Sequence, residues 1–165
     1  MASVQRSTAL AFLQSFQELD VNSHLALRTP GCRHTMAPAS LNYPPSMTNE
    51  QFAAHLSSLR TIIASFPVTA KEIFEHEGGN QVTIWATSSA TFREEAKDED
   101  SGLDWSYYGE YIFILSFNQA GDKIERIVEF VDSKRAVEVG VLVERARRNV
   151  AARKENPYGD NKLAH

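Results

Sequence analysis

The feature that most constrains the fold of this chain is a change of hydrophobic period at Pro67. Before Pro67, apolar residues recur every three or four positions, which predicts helices over 7–19 and from Thr48 to Phe66. After Pro67 they alternate with polar residues, and this pattern predicts four strands joined by turns, over 68–76, 81–93, 105–117 and 123–131. Runs of helices followed by runs of strands indicate an α+β fold in which a curved antiparallel sheet packs on the N-terminal helices.

Shorter signals add to this order of elements. A short helix is expected over 24–28 and a short strand over 32–36, before a proline-rich loop. Residues 48–51 (Thr-Asn-Glu-Gln) match a capping box, in which the first and last side chains bind each other's backbone amides. The long helix is therefore expected to begin at this point.

The last part of the chain predicts one more helix. Asp132 or Ser133 is expected to cap this helix, which covers residues 133–153. We therefore expect a single domain over residues 1–153, including the extra C-terminal helix, and a flexible tail over 154–165.

Composition narrows the class of protein. With 42% hydrophobic and 23% charged residues, the chain is typical of a globular protein. One cysteine, Cys32, excludes an intrachain disulfide and a multi-cysteine zinc site. No apolar run approaches the about 18 residues of a membrane span. Polar residues also interrupt the apolar positions of 9–19, so we expect no signal peptide, no membrane partner and a soluble, cytoplasmic protein.

Charge is divided unevenly along the chain. Residues 1–132 hold 9 Lys and Arg against 17 Asp and Glu, whereas residues 133–165 hold 8 against 4. An acidic body argues against a nucleic-acid partner, which requires a basic face. The basic C-terminal helix is expected to be solvated on its charged face, or to dock onto an acidic part of the body or of a second subunit.

Several functional classes lack their sequence motifs. The chain has no phosphate-binding loop, no dinucleotide glycine motif, no Gly-x-Ser-x-Gly element and no His-Glu-x-x-His pair. The acidic run over 94–102 lacks the spacing of a calcium loop and predicts a solvated hairpin tip. We therefore expect no cofactor and no metal, and chemistry carried by acid and base groups that a pocket brings together.

Three residues are candidate catalytic groups. His34, in the short strand, could transfer a proton near neutral pH, or it could be a half-exposed strand histidine. Glu129 lies on the last strand, where an apolar face would raise the pKa of a carboxyl group; the alternative is a solvent-facing residue on the convex side. Asp132 could act in the same way, or it could simply cap the following helix.

Six further residues are candidates for substrate binding. His55 lies on the apolar face of the long helix, and Arg60 lies one step off that face, where it could bind an oxyanion or reach solvent. The strands are rich in aromatic residues, which indicate either core packing or a pocket for a planar polycyclic ligand. Within these strands the candidates are Trp85, Tyr107, Glu110 and Tyr111.

Three short motifs resemble a known family. Residues 27–35 (Leu-Arg-Thr-Pro-Gly-Cys-Arg-His-Thr), 109–111 (Gly-Glu-Tyr) and 129–133 (Glu-Phe-Val-Asp-Ser) resemble those of fungal SnoaL-like proteins of the NTF2-like superfamily, over roughly residues 5–150. The resemblance implies a cone-shaped α+β barrel, a homodimer, and acid/base chemistry without a cofactor. It places Glu129 at the position of the catalytic aspartate of bacterial polyketide cyclases, and it makes His34 the favoured catalytic histidine.

The resemblance also implies a reaction. We expect an isomerase that acts on a polycyclic intermediate from a polyketide (xanthone-type) or meroterpenoid pathway. In this reaction His34, Glu129 or Asp132 removes a proton next to a carbonyl, and a tyrosine such as Tyr107 stabilises the enolate. The alternatives are a non-catalytic NTF2-like binding or dimerisation module, which predicts a cone without inward carboxylates, and a dehydratase or hydrolase that uses the same pocket.

Overall fold

The computed structural model describes residues 1–76, 78–98 and 102–156. Its α-helices are α1 (Val4–Gln14), α2 (Val21–Ala26), α3 (Asn49–Arg60) and α4 (Ser133–Glu155). Its strands are β1 (Arg28–Ala37), β2 (Ile63–Ser65), β3 (Val68–His76), β4 (Gln81–Phe92), β5 (Tyr107–Phe117) and β6 (Ile124–Val131). Single 3₁₀ turns occupy Ala39–Leu41 and Glu94–Ala96.

The four predicted strands form the centre of one curled sheet. Strands β3, β4, β5 and β6 pair antiparallel in sequence order, which confirms the predicted meander. Strand β1 runs parallel to β6 at the sheet edge, so that His34 lies opposite Ile127 and Met36 lies opposite Glu129. This long-range pairing brings the two segments that carry His34 and Glu129 side by side.

The N-terminal helices cover the concave face of the sheet, as expected for this α+β class. Alternate residues of β4 and β5 are buried against them, and Phe12 of α1 meets Phe113 of β5 edge-to-face at 5.4 Å. The capping box of α3 is confirmed, because the Gln51 amide donates to Thr48 Oγ1 and the Thr48 amide donates to Gln51 Oε1.

The predicted end of the long helix is wrong. Helix α3 ends at Arg60, and Ile63–Ser65 forms strand β2, in which Ile63 pairs with Phe92 of β4. A run of apolar residues satisfies both periods over so short a span, and the β-branched Ile62 and Ile63 favour the extended form. Similarly, β1 covers ten residues rather than the five expected.

Helix α4 docks onto the body of the same chain. Asp132 caps it by accepting from the amides of Lys134 and Arg135. On the body side, Arg145 Nε donates to Asp98 Oδ2 at 2.6 Å and Asn149 Nδ2 donates to the Ala96 carbonyl at 2.9 Å.

In the described part of the acidic run, 94–98, Glu94 and Glu95 are exposed as expected, whereas Ala96 is fully buried and Asp98 contacts a basic helix. Residues 99–101 of that run lie outside the described residues, as does most of the expected tail, 157–165; α4 itself continues to Glu155. Among the described residues, no helix combines the length and apolar character needed to span a membrane.

Candidate active site

A cavity of about 400 Å³ lies between the concave face of the sheet, α3 and α4. Most of its wall is apolar, and its polar groups come from three directions: the sheet, α3 and the loop after β1. These polar groups are His55, Tyr43, Tyr107, Tyr111 and Glu129, with Glu144 and Arg147 of α4 at the exposed rim. The volume falls within the range of about 300–1,000 Å³ that is typical of small-molecule sites.

Glu129 is a buried carboxylate that faces this cavity. Strand β6 alternates from Ile127 to Val131, so Glu129 shares the inward face with both and is only 7% exposed. A shift of register near Arg126 turns Glu125 outward instead. The alternative of a solvent-facing Glu129 on the convex side therefore does not apply.

His34 lies directly behind Glu129 and is fully buried. Its Nε2 is 2.7 Å from Glu129 Oε2, its Nδ1 is 3.0 Å from Arg28 Nη2, and its ring stacks on Phe52 at 4.4 Å. An arginine can only donate, so Nδ1 accepts and the ring proton resides on Nε2, where it donates to Glu129. Burial lowers the pKa of His34, against the raising effect of the Glu129 carboxylate.

This arrangement separates the roles of the two residues. Glu129 lines the cavity, whereas His34 is not one of the described residues that line it. The neutral imidazole therefore orients the carboxylate, and Glu129 is the group that can contact a ligand. A charge-assisted hydrogen bond of this kind also fixes the carboxylate more firmly than a neutral one.

Arg28 was missed by the sequence reasoning. Its guanidinium is 4% exposed and lies 4.0 Å above the ring of Phe52, and burial lowers its pKa to about 10. In the structure Arg28 belongs to β1, where it is buried together with Cys32 and His34, whereas the sequence pattern predicts a helix at this position. The positive charge of Arg28 and the negative charge of Glu129 balance each other across His34.

A chain of hydroxyl groups forms another part of the wall. Ser88 Oγ donates to the Tyr111 hydroxyl at 2.9 Å, and the Tyr111 and Tyr107 hydroxyls are 2.7 Å apart. Burial raises the pKa of both phenols, so they stay protonated and can donate hydrogen bonds. A Cβ at Gly109 would collide with the Tyr107 and Tyr111 hydroxyls, so this hydroxyl pair requires glycine at that position.

His55 also lines the cavity, from helix α3. Burial lowers its pKa, with Glu129 opposing and His34 and Arg147 adding to the effect. The neutral imidazole can donate or accept one hydrogen bond at the cavity surface. Thus the structure brings Glu129, Tyr107, Tyr111 and His55 together around one space.

Four other predicted site residues lie away from the cavity. Trp85 and Glu110 are on the convex face, where Trp85 Nε1 donates to Glu110 Oε1 at 2.6 Å and Lys71 Nζ lies 3.8 Å from the indole ring centre. Alternation explains their position, since Ile84 and Ala86 take the inward places of β4. Arg60 is exposed at the end of α3, and the exposed Asp132 serves as the cap of α4.

The fold defines a class: small proteins with the NTF2-like fold, in which a half-barrel sheet is closed by helices around a cavity, here with a buried carboxylate on its wall. No model of a known protein family matches the chain. Among curated proteins, the austinoid biosynthesis cluster protein H of Aspergillus calidoustus is 31% identical over 127 residues, which cover 77% of this chain and 82% of that protein.

Two solved structures share the fold. The BvnE pinacolase from Penicillium brevicompactum superposes with a TM-score of 0.74 at 20% identity, over 87% of this chain and 96% of that one. A protein from Shewanella denitrificans assigned as a SnoaL-like polyketide cyclase superposes with a TM-score of 0.66 at 12% identity, over 85% and 99%. The chain belongs to the family of the austinoid biosynthesis cluster proteins, and its fold is that of the SnoaL-like and NTF2-like structures.

Proposed function

We propose that this protein is a cofactor-independent isomerase that moves protons on a polycyclic meroterpenoid or polyketide-derived intermediate of fungal secondary metabolism. The observation that carries the proposal is the carboxylate of Glu129, which lies on the wall of an apolar cavity and is oriented from behind by His34. The relatives named for austinoid biosynthesis and as a pinacolase support a terpenoid-derived substrate and chemistry at a carbon skeleton.

In the proposed reaction, Glu129 is the general base. Its carboxylate removes a proton from a carbon next to a substrate carbonyl, and the electron pair of that C–H bond forms an enolate. The protonated Glu129 then returns the proton to a different carbon, so that the substrate is isomerised and the enzyme is regenerated. No external oxidant or reductant is needed.

Tyr107 supplies the hydrogen bond to the enolate oxygen. Because Tyr111 accepts from Ser88, it can donate its own proton to Tyr107 and leave the Tyr107 O–H free for the substrate. A preorganised donor of this kind contributes about 3–4 kcal/mol of transition-state stabilisation in other enzymes.

The cavity also supports an enzyme over a non-catalytic binding module. The module predicts a cone that is filled by side chains or lacks inward carboxylates, whereas Glu129 points into about 400 Å³ of open space. A dehydratase would need a second acid beside the leaving hydroxyl. His55 of α3 does not supply this acid, because burial lowers its pKa and leaves the imidazole neutral near pH 7.

The test is proton exchange. The EDTA-treated protein is incubated with cyclic polyketide and meroterpenoid intermediates in deuterated water, and exchange and isomer formation are followed by NMR. Glu129→Gln should slow both by about 100-fold or more. Glu125→Gln is the matched control, because it changes an exposed carboxylate of the same strand and should leave the rate unchanged. Equal rates for the wild type and Glu129→Gln would refute the assignment.

We also propose that the protein forms a homodimer through the convex face of the sheet. Phe130, Ile112 and Trp85 lie directly opposite one another on β6, β5 and β4, and the first two are 49% and 37% exposed. Such a continuous apolar row on a sheet surface is typical of an interface. Light scattering should give twice the chain mass for the wild type and the chain mass for Phe130→Glu; a monomeric wild type would contradict the proposal.

A further inference from the structure

One face of helix α4 forms a wall of the cavity. The residues on this face recur at helical spacing: Ala136, Val139, Gly140, Val143, Glu144 and Arg147. The helix is held in place by Arg145 on Asp98 and by Asn149 on the Ala96 carbonyl. Its cavity-facing side chains therefore set the shape of the space opposite the sheet.

Gly140 is unexpected in the middle of this wall. Glycine inside a helix lowers stability relative to alanine, because it gives up more backbone freedom and leaves the backbone uncovered. Its backbone is not in the left-handed region, and a Cβ at this position would meet no atom within 4 Å. By contrast, a Cβ at Gly109 would collide with the Tyr107 hydroxyl. Neither backbone geometry nor packing within the described chain thus requires glycine at 140.

What Gly140 does is keep the cavity open. A side chain here would project from the centre of the α4 wall into the space that Glu129 and Tyr107 face from the sheet. The neighbours of Gly140 on the same face are the apolar Ala136, Val139 and Val143, whereas Glu144 lies at the exposed rim. The space above Gly140 therefore suits the apolar part of a rigid ring system whose polar end lies at the sheet.

We propose that Gly140 determines substrate size, by leaving room above α4 for the extra rings of a polycyclic substrate. This inference rests on the proposed function, since it assigns the substrate class of the same cavity. It predicts that filling the space at 140 excludes large ring systems, retains small ones and does not harm the fold.

Two planar phenols of different size serve as probes, 2-naphthol with two rings and 1-hydroxypyrene with four. Binding is measured by fluorescence titration to the wild type, Gly140→Ala and Gly140→Leu. Gly140→Leu should weaken the binding of 1-hydroxypyrene by about tenfold or more, which corresponds to about 1.4 kcal/mol. The affinity for 2-naphthol should change much less. Gly140→Ala should lose less affinity than Gly140→Leu, again more for 1-hydroxypyrene than for 2-naphthol.

Thermal melting supplies the second readout. Both variants should melt at the wild-type temperature or a few degrees higher, because each replaces a helix-interior glycine with a stronger helix former. Val141→Leu is the matched control, since it enlarges an exposed side chain of the same helix and should change neither binding nor melting.

Three results would overturn the inference: a wild type that binds neither probe, a Gly140→Leu variant that loses both probes equally, or variants that melt well below the wild type. The last would mean that packing requires the glycine. If Glu129→Gln retains turnover while Gly140→Leu discriminates between the two probes by size, the proposed reaction fails and the role of Gly140 stands.

Discussion

The fully buried His24 should make this protein sensitive to acid. Its ring lies edge-on to Phe16 at 4.4 Å and to Phe52 at 5.3 Å. Neither ring nitrogen has a hydrogen-bond partner among the described residues. Burial lowers the pKa of His24 to about 3; the charges of Arg28 and His34 add to this effect, and Asp20 opposes it.

The direction and size of the effect follow from proton linkage. The unfolded chain binds a proton at His24 below its ordinary pKa of about 6.5, whereas the folded protein does not do so until about pH 3. Stability is therefore complete above about pH 7 and is lost progressively as the pH falls from 6.5 towards 3. At pH 4.5, two units below the unfolded pKa, the loss from this one group is about 2–3 kcal/mol.

The measurement is urea denaturation near pH 7.5 and near pH 4.5 for the wild type and His24→Leu. Leucine retains the apolar packing and removes the titration, so the free energy of unfolding of the wild type should fall by about 2 kcal/mol more than that of the variant. Other acid-sensitive groups, including His34 and His55, are present in both proteins and cancel. His76→Leu changes an exposed histidine and should behave like the wild type. Equal losses for the wild type and His24→Leu would refute the argument.

Three further changes test the site. Arg28→Met removes the donor to His34 Nδ1 and leaves the Glu129 charge without its buried counterion. The free energy of unfolding should therefore fall by about 3 kcal/mol, and the ¹⁵N chemical shifts of the His34 ring should change. Tyr107→Phe removes the enolate donor and should slow turnover by about 100-fold or more with little change in melting temperature. Asp132→Ala removes the cap of α4, so the free energy of unfolding should fall by about 1 kcal/mol in a denaturation experiment while turnover stays unchanged. A loss of turnover in this variant would instead indicate that Asp132 is a catalytic residue.

Local features of this protein could be read directly from neighbouring residues. The capping box at 48–51 needs only a side chain and an amide three positions apart, and it occurs as expected. The meander from β3 to β6 follows from alternation and short turns. That Glu129 shares a face with Ile127 and Val131 also follows from strand period, but period alone left open whether this face points inward.

Alternation could not decide which face of a strand points inward when both faces carry aromatic residues. Trp85 and Glu110 were assigned to the pocket on composition, yet they lie on the convex side, where Trp85 donates to Glu110. Likewise, the apolar stretch 62–66 fits a helix or a strand, and only the pairing of Ile63 with Phe92 selects the strand. In both cases the deciding contact comes from a distant part of the chain.

By itself the sequence determined the class of fold and the order of its elements, since both depend on period and on neighbours along the chain. Only the tertiary structure decided the site. The parallel pairing of β1 with β6 places His34 behind Glu129, 95 positions away in the sequence, so that the favoured histidine is buried and hydrogen-bonded to that carboxylate. Docking of α4 makes Gly140 part of the cavity wall. Contacts at such separations have no periodic signature, because they arise from how the elements pack together.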